Sequence, residues 1–343
     1  MSGLSRDDLD AVATFLRGQG VDVAGPLEGS QIAGGRSNLT FRLDDGTSRW
    51  VLRMPPRAGR TPSAHDVGRE FRVTRALSRA GVPVAPAVAL CQDESLLGGP
   101  FAVSGFVEGR TVQSRTDLDE LDDETATVVI SRLLQALAAL HRVDHVAHGL
   151  EGFGRPDAYA ERQLRRWSGQ WELVGQYDAN ISAAAKNLVA GLAVSIPEQR
   201  SAGIVHGDYR IDNTLLRFDG SPSVAAIVDW ELSTIGDPVA DVAMMCAYRL
   251  PAFDLIVGSP SAWTSSRLPS LESLASDYEA AGGVELSNWE FHLALAYYKI
   301  AVIAAGIDHR FRAGAVGGRG FAEAGQAVPE FLAAGLKTME VRR

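Results

Sequence analysis

The alternation of apolar and polar positions changes character about a third of the way along the chain. Residues 5–19 read as a short amphipathic helix, with Ser5 as N-cap and Asp7 and Asp8 in the first turn. Period-two runs follow at Gly25–Ala33, Asn38–Leu43 and Trp50–Met54, with Asp44-Asp45-Gly46 as a hairpin turn and Pro55-Pro56 as a stop. The spacing predicts a helix over His65–Ala80, with Phe71, Ala76 and Leu77 apolar and Gly81 closing it. Two more strands are expected at Ala85–Cys91 and Phe101–Val107. The first part therefore reads as a sheet of five strands with one embedded helix.

From Leu118 onward the period becomes helical. Helices are expected at Thr125–His141, Ala158–Gln176 and Ile181–Val194, then near Pro238–Tyr248, Leu271–Ala281, Trp289–Ala305 and Gly320–Lys337. A strand–loop–strand unit, Ile204–Trp230, interrupts them. The pattern predicts an α+β fold of two lobes, residues 1–108 and 109–343, with the cleft between them as the default ligand site. The longest apolar stretch, Leu293–Ile307, contains Lys299, is too short to span a bilayer, and reads as a buried helix.

Composition narrows the classes. With 343 residues, 46% of them apolar and 22% charged, the chain has ample material for a globular core. A formal charge of −9 argues against nucleic acid as an obligate partner. Cys91 and Cys246 are the only cysteines, and the first ten residues are polar, so a reduced, cytoplasmic protein without a signal peptide is expected. Lys186, Lys299 and Lys337 are the only lysines. A function needing a cation in the first lobe must therefore use Arg or His.

The chemistry is concentrated in His206-Gly-Asp-Tyr-Arg-Ile-Asp-Asn213, with Asp229 sixteen positions later between Val228 and Trp230. Read alone, a His-x-Asp is a turn between strands, since Asp and Asn favour turns. With Asn213 at its offset and Asp229 following, three oxygen-bearing side chains can meet around a magnesium-bound triphosphate. A metal-dependent hydrolase using His206, Asp208 and Asp229 would want further His ligands, and none stands at suitable spacing.

These segments resemble the catalytic and metal loops of the aminoglycoside phosphotransferase-like branch of the protein-kinase-like fold. The likeness extends from about Ile32 to Gly317. It implies ATP and Mg2+ as cofactors, Asp208 as catalytic base, and Asn213 and Asp229 as metal ligands. Arg210 stands where protein kinases place a Lys that contacts the γ-phosphate. The turn Ile32–Phe41 would cover the phosphates through Gly35, Ser37 and Asn38. Arg53 replaces the usual phosphate-binding Lys, with Glu70 as the matching helix carboxylate. Gly105 and Val107 occupy the hinge whose backbone hydrogen-bonds adenine. His206 is expected to be structural, Asp212 to be solvent-facing or supporting, Asp237 to be a cap, and Asp241 to buttress the catalytic loop.

Tyr209-Arg210, the Arg162–Trp171 helix and the Lys299–Arg310 segment resemble more narrowly the kinase domain fused to certain acyl-CoA dehydrogenases, and its stand-alone bacterial relatives. That likeness implies a small-molecule acceptor, the hydroxyl of a hydroxyacyl-CoA, most typically of the 4-hydroxy type. An aminoglycoside or other amino-alcohol is the alternative acceptor. A nucleotide-binding pseudokinase is the alternative of another class, although Asp208, Asn213 and Asp229 are all retained. Arg162, Arg165 and Arg166 suit either CoA phosphates or a solvated helix face. Trp167 and Trp171, four residues apart, suit core packing better than a ligand clamp.

Overall fold

In the computed structural model, residues 3–32, 38–56, 66–315 and 320–341 are described. Helix α1 (Arg6–Gly18) opens on a capping box in which Ser5 accepts from the Asp8 N–H and Asp8 returns a bond to the Ser5 N–H. Strands β1 (Glu28–Gln31), β2 (Leu39–Asp44) and β3 (Arg49–Met54) follow. Asp44 and Asp45 turn the chain between β2 and β3 by accepting from Gly46, Thr47 and Ser48.

Helix α2 (Val67–Arg79), strand β4 (Ala87–Cys91), the short helix α3 (Glu94–Leu97) and strand β5 (Phe101–Gly105) complete this lobe. The sheet is antiparallel with order β1-β2-β3-β5-β4. Its apolar face packs on α1 around Leu16, Leu27, Leu43, Leu52 and Phe101. α3, capped by Asp93 and ended by the left-handed Gly98, is an addition to the expected pattern. Four residues are too few for a period to register.

The second lobe begins with α4 (Arg115–Asp119), α5 (Asp123–His141), α6 (Tyr159–Val174) and α7 (Ala179–Ala193). Strands β6 (Gly203–Val205), β7 (Thr214–Arg217), β8 (Ser223–Ile227) and β9 (Thr234–Gly236) form two small antiparallel pairs, β6–β9 and β7–β8. Helices α8 (Pro238–Ala247), α9 (Phe253–Val257), α10 (Leu271–Ala280), α11 (Trp289–Arg312) and α12 (Val328–Val341) finish the fold. α11 is long and apolar enough to cross a membrane, but 78% of its apolar window is buried inside the protein, against α6, α8 and α12. It is the core helix of the lobe, running seven residues past the expected end at Ala305.

α2 faces both lobes. Val73, Ala76 and Leu77 join the larger, helical core, and the Arg69 guanidinium lies 3.8 Å from the Phe153 ring centroid while donating to the Ser233 carbonyl. The main chain adds a second link, since Ile227 N–H donates to the Pro83 carbonyl at 2.8 Å.

Candidate active site

The loop between β6 and β7 is held almost entirely by buried hydrogen bonds. Asp241, in the first turn of α8, accepts the N–H of His206 at 2.6 Å and of Gly207 at 2.7 Å. It also accepts from Nε2 of His141 at 3.2 Å, and Nδ1 of that ring meets the Tyr278 hydroxyl. Burial opposes ionisation of Asp241, yet the His141 hydrogen bond and the other donors hold its carboxyl below the usual range. Gly207 sits at φ 86, and a Cβ there would lie 2.9 Å from the Leu232 carbonyl oxygen, so the turn requires glycine.

His206 is fully buried between Tyr209 and Trp230. Its Nδ1 accepts the Asp208 N–H, which leaves Nε2 to donate to the Val228 carbonyl at 2.9 Å. The ring thus ties the loop to Val228, between the end of β8 and Asp229. Asp237 caps α8 by accepting from the Val239 N–H.

Asp208 is oriented on both oxygens. Nη1 of Arg210 reaches Oδ1 at 3.1 Å, and Nδ2 of Asn213 reaches Oδ2 at 3.0 Å and the Asp208 carbonyl at 2.7 Å. Nδ2 of Asn213 is thereby spent on Asp208, and its amide oxygen remains the group with metal-binding character. The Asn213 carbonyl accepts the Val228 N–H at 2.9 Å, placing Asn213 next to the start of the Asp229 turn. Asp229 has a left-handed backbone, φ 67 and ψ 63, and its carboxylate makes no hydrogen bond among the described residues. Burial raises its pKa, and the charge of Glu231 adds to the effect. A half-buried carboxylate on a left-handed backbone, with no hydrogen bond among the described residues and within the field of Asp208, suits a cation.

Arg210 differs from an open phosphate-contacting cation. Its three nitrogens bond Asp208 and Asp212, and its plane lies 4.6 Å from the Tyr248 centroid and 5.0 Å from that of Phe253. Burial opposes its charge, but Asp208 and Asp212 hold it cationic. The geometry makes it a brace for Asp208, with Asp212 supporting the brace. Tyr209 points away from the cleft altogether, fully buried, with its hydroxyl donating to the Leu133 carbonyl in α5. Its role in this structure is to anchor the loop to α5.

Across the cleft, Arg53 on β3 pairs with Glu70 on α2 at 2.9 Å, as the sequence pattern anticipates. Burial pushes the Glu70 carboxyl up to about 7; Arg53 opposes this, and Asp229 and Glu231 reinforce it. Asn38 is buried and donates to the second Glu70 oxygen at 3.0 Å, so its amide group serves the Arg53–Glu70 pair rather than a phosphate. The Gly105 N–H donates to the Pro86 carbonyl, which removes that donor from adenine recognition. Val107 lies two residues beyond β5, outside the sheet ladder. Gly35 and Ser37 lie outside the described residues.

Of the helix residues weighed for CoA, Arg165 pairs with Glu161 on the solvent face of α6, and Arg162 donates to the Arg155 carbonyl. Trp167 and Trp171 are partly buried against the main core, with Trp171 stacked on Tyr177.

A twisted antiparallel sheet over a helical lobe, with Asp208 and Asp229 at their junction, defines a small-molecule phosphotransferase of the protein-kinase-like fold. The chain belongs to the Phosphotransferase enzyme family, which it matches over residues 28–291. It is 34% identical over 306 residues to acyl-CoA dehydrogenase family member 10 of Mus musculus, and 34% identical over 303 residues to family member 11 of Homo sapiens. Those alignments cover 88% and 87% of this chain but 28% and 38% of the relatives, so the chain spans less than two fifths of their length. A crystal structure from Ralstonia eutropha, provisionally designated an aminoglycoside phosphotransferase, superposes with a TM-score of 0.83 at 31% identity, over 97% of this chain and 98% of that one. Aminoglycoside phosphotransferase APH(4)-Ia, solved with AMP-PNP and hygromycin B, shares the fold at a TM-score of 0.61 and 17% identity, over 95% of this chain and 98% of its own.

Proposed function

We propose that the chain transfers the γ-phosphoryl group of ATP to the hydroxyl of a hydroxyacyl-CoA of the 4-hydroxy type. The observation that carries the chemistry is Asp208, a carboxylate fixed on both oxygens by Arg210 and Asn213 and within the field of Asp229, which makes no hydrogen bond among the described residues. Asp208 accepts a hydrogen bond from the acceptor hydroxyl and takes its proton as the new O–P bond forms. The bond from the γ-phosphorus to the bridging oxygen breaks, and ADP leaves with that electron pair. Arg210 keeps Asp208 aimed, and Asp241 keeps the loop in register.

Asn213, through its amide oxygen, and Asp229 would fit a magnesium ion by donor type, with the Asp208 and Glu231 charges acting on Asp229. Magnesium, when bound, neutralises charge on the β- and γ-phosphates. Arg53, held by Glu70 and Asn38, would bind the α- and β-phosphates, the turn with Gly35 and Ser37 would cover them, and the segment at Gly105–Val107 would contact adenine.

The lobes divide at 108/109 in this reading, and two buried free thiols, Cys91 and Cys246, suit a reducing cytoplasm. The acyl-CoA acceptor is supported by the similarity to acyl-CoA dehydrogenase family members over most of this chain. The test is ADP release with ATP and magnesium, offering 4-hydroxyacyl-CoAs, aminoglycosides, choline and homoserine in parallel. Turnover of the hydroxyacyl-CoA is expected. Turnover of an aminoglycoside alone would overturn the acceptor.

A further inference from the structure

Beneath the catalytic loop, α6, α8 and α11 border a slot whose lining includes Gln163, Trp167, Gly207, Asp241, His292 and Lys299. Gly207 directly precedes Asp208, so the slot lies beside the carboxylate that addresses the acceptor hydroxyl. Its free volume is about 20 Å³, room for one water-sized group and not for a sugar ring.

Two polar side chains in this slot stand out. Lys299 is the single charge in the apolar run of α11, and among the described residues it has no ion-pair partner. Its Nζ lies 5.6 Å from the Trp167 centroid, and that ring is fixed by its Nε1–H to Oε1 of Gln163 at 3.1 Å. Burial lowers the Lys299 pKa, while Asp208 and Asp241 support the charge. His292, 3% exposed, keeps a buried Nδ1 without a hydrogen-bond partner among the described residues. Its Nε2 is 3.6 Å from Asp237, beyond hydrogen-bond distance. Lys299 and, seven residues earlier on the same helix, a His292 nitrogen with no hydrogen-bond partner among the described residues line one slot, and buried polar groups are costly unless something satisfies them.

We infer that Lys299 determines acceptor specificity: its ammonium, backed by Trp167 and with His292 lining the same slot, donates to a carbonyl or carboxylate oxygen of the molecule whose hydroxyl is phosphorylated. A cationic amine at the same place meets like charge and a desolvated wall, so aminoglycosides and choline are rejected. The inference rests on the reading of Asp208 as the base, and it deepens the acceptor assignment. A thioester carbonyl a few carbons from the hydroxyl supplies the required oxygen, and so does a free carboxylate.

The experiment compares the wild-type chain with Lys299→Met and Lys299→Arg. Acceptors are 4-hydroxypentanoyl-CoA, free 4-hydroxypentanoate, kanamycin and choline, and the readouts are kcat, KM for acceptor, KM for ATP, and Tm. For Lys299→Met the acceptor KM is expected to rise at least about tenfold, the loss of one charge-assisted hydrogen bond, with the ATP KM within about twofold. The Tm of Lys299→Met should be no lower than wild type, an outcome that a structural lysine would not give. Lys299→Arg should recover part of the acceptor affinity.

Turnover of the free acid but not the thioester would refute the acyl-CoA acceptor while leaving the Lys299 assignment to the same variant comparison. An unchanged acceptor KM in Lys299→Met, or a wild-type preference for kanamycin or choline, overturns the inference. If none of the four is phosphorylated, the acceptor reading fails, and calorimetric binding of pentanoyl-CoA and pentanoate decides the lysine. Binding that is absent, or equal in wild type and Lys299→Met, rejects it.

Discussion

Replacing Asp241 with Asn tests whether the catalytic loop is held in place from α8. The carboxylate satisfies three donors: the N–H groups of His206 and Gly207, and Nε2 of His141. An Asn side chain has one oxygen, which can keep the His206 and His141 bonds at the position of Oδ2. Its NH2 group then faces the Gly207 N–H, donor against donor, with no water to intervene at a residue 2% exposed. Losing one charge-assisted bond and stranding a buried N–H costs about 3 kcal/mol. With 343 residues and an unfolding entropy of roughly 2.1 cal/mol/K per residue, that corresponds to a fall in Tm of about 4 °C.

The functional effect should exceed the stability effect. Gly207 precedes Asp208, and a displacement on the order of 1 Å at the base costs about a hundredfold in rate. Calorimetric melting gives the Tm, and steady-state kinetics with the acceptor separate kcat from KM. A fall in kcat with near-normal nucleotide KM is the expected split. A variant with wild-type kcat and Tm would refute the reading of Asp241 as the anchor of this loop.

Other expectations follow from the same geometry. Arg53→Lys should keep a cation against Glu70 and raise the ATP KM modestly. Arg53→Met, which leaves a buried carboxyl unpaired, should raise it by about 10–100-fold and lower the Tm. His292 should make stability fall in acid. Its folded pKa is lowered to about 4 by burial whereas the unfolded ring titrates near 6.5, so the unfolded chain binds the extra proton as pH drops between those values. The loss from pH 7 to pH 5 is about 2 kcal/mol, and melting curves of His292→Gln should lack that increment. Tyr209→Phe removes a buried bond to the Leu133 carbonyl and should cost about 1 kcal/mol with acceptor preference unchanged; altered preference would place Tyr209 in the site after all.

Much of the fold was legible because the patterns are local. Ser5, Asp44 and Gly81 each act within a few residues of themselves, and the expected elements appear within a few residues of their observed limits for most of the chain. The spacing of Asp208, Asn213 and Asp229 was equally readable, since β6, β7 and β8 are short and the loop bonds to itself. The directions of side chains were less so. Nothing in the order of residues shows that Asn38 turns inward to Glu70, that Arg210 folds back on Asp208, or that Tyr209 points into α5. Those outcomes depend on which side of the backbone is desolvated by distant elements. The slot with Lys299 and His292 was hidden for the same reason: α6, α8 and α11 meet only in the packed lobe. The one signal available was a lysine inside an apolar run, in a chain with only three.

The most direct test of the chemistry is Asp208→Asn, assayed for ADP release with ATP, magnesium and a wild-type acceptor, alongside AMP-PNP affinity. Arg210 retains Asp212, so the fold should survive. The expected result is a loss of kcat on the order of a thousandfold with AMP-PNP affinity within about threefold. A variant that turns over the acceptor at near wild-type rate would show that Asp208 is not the base.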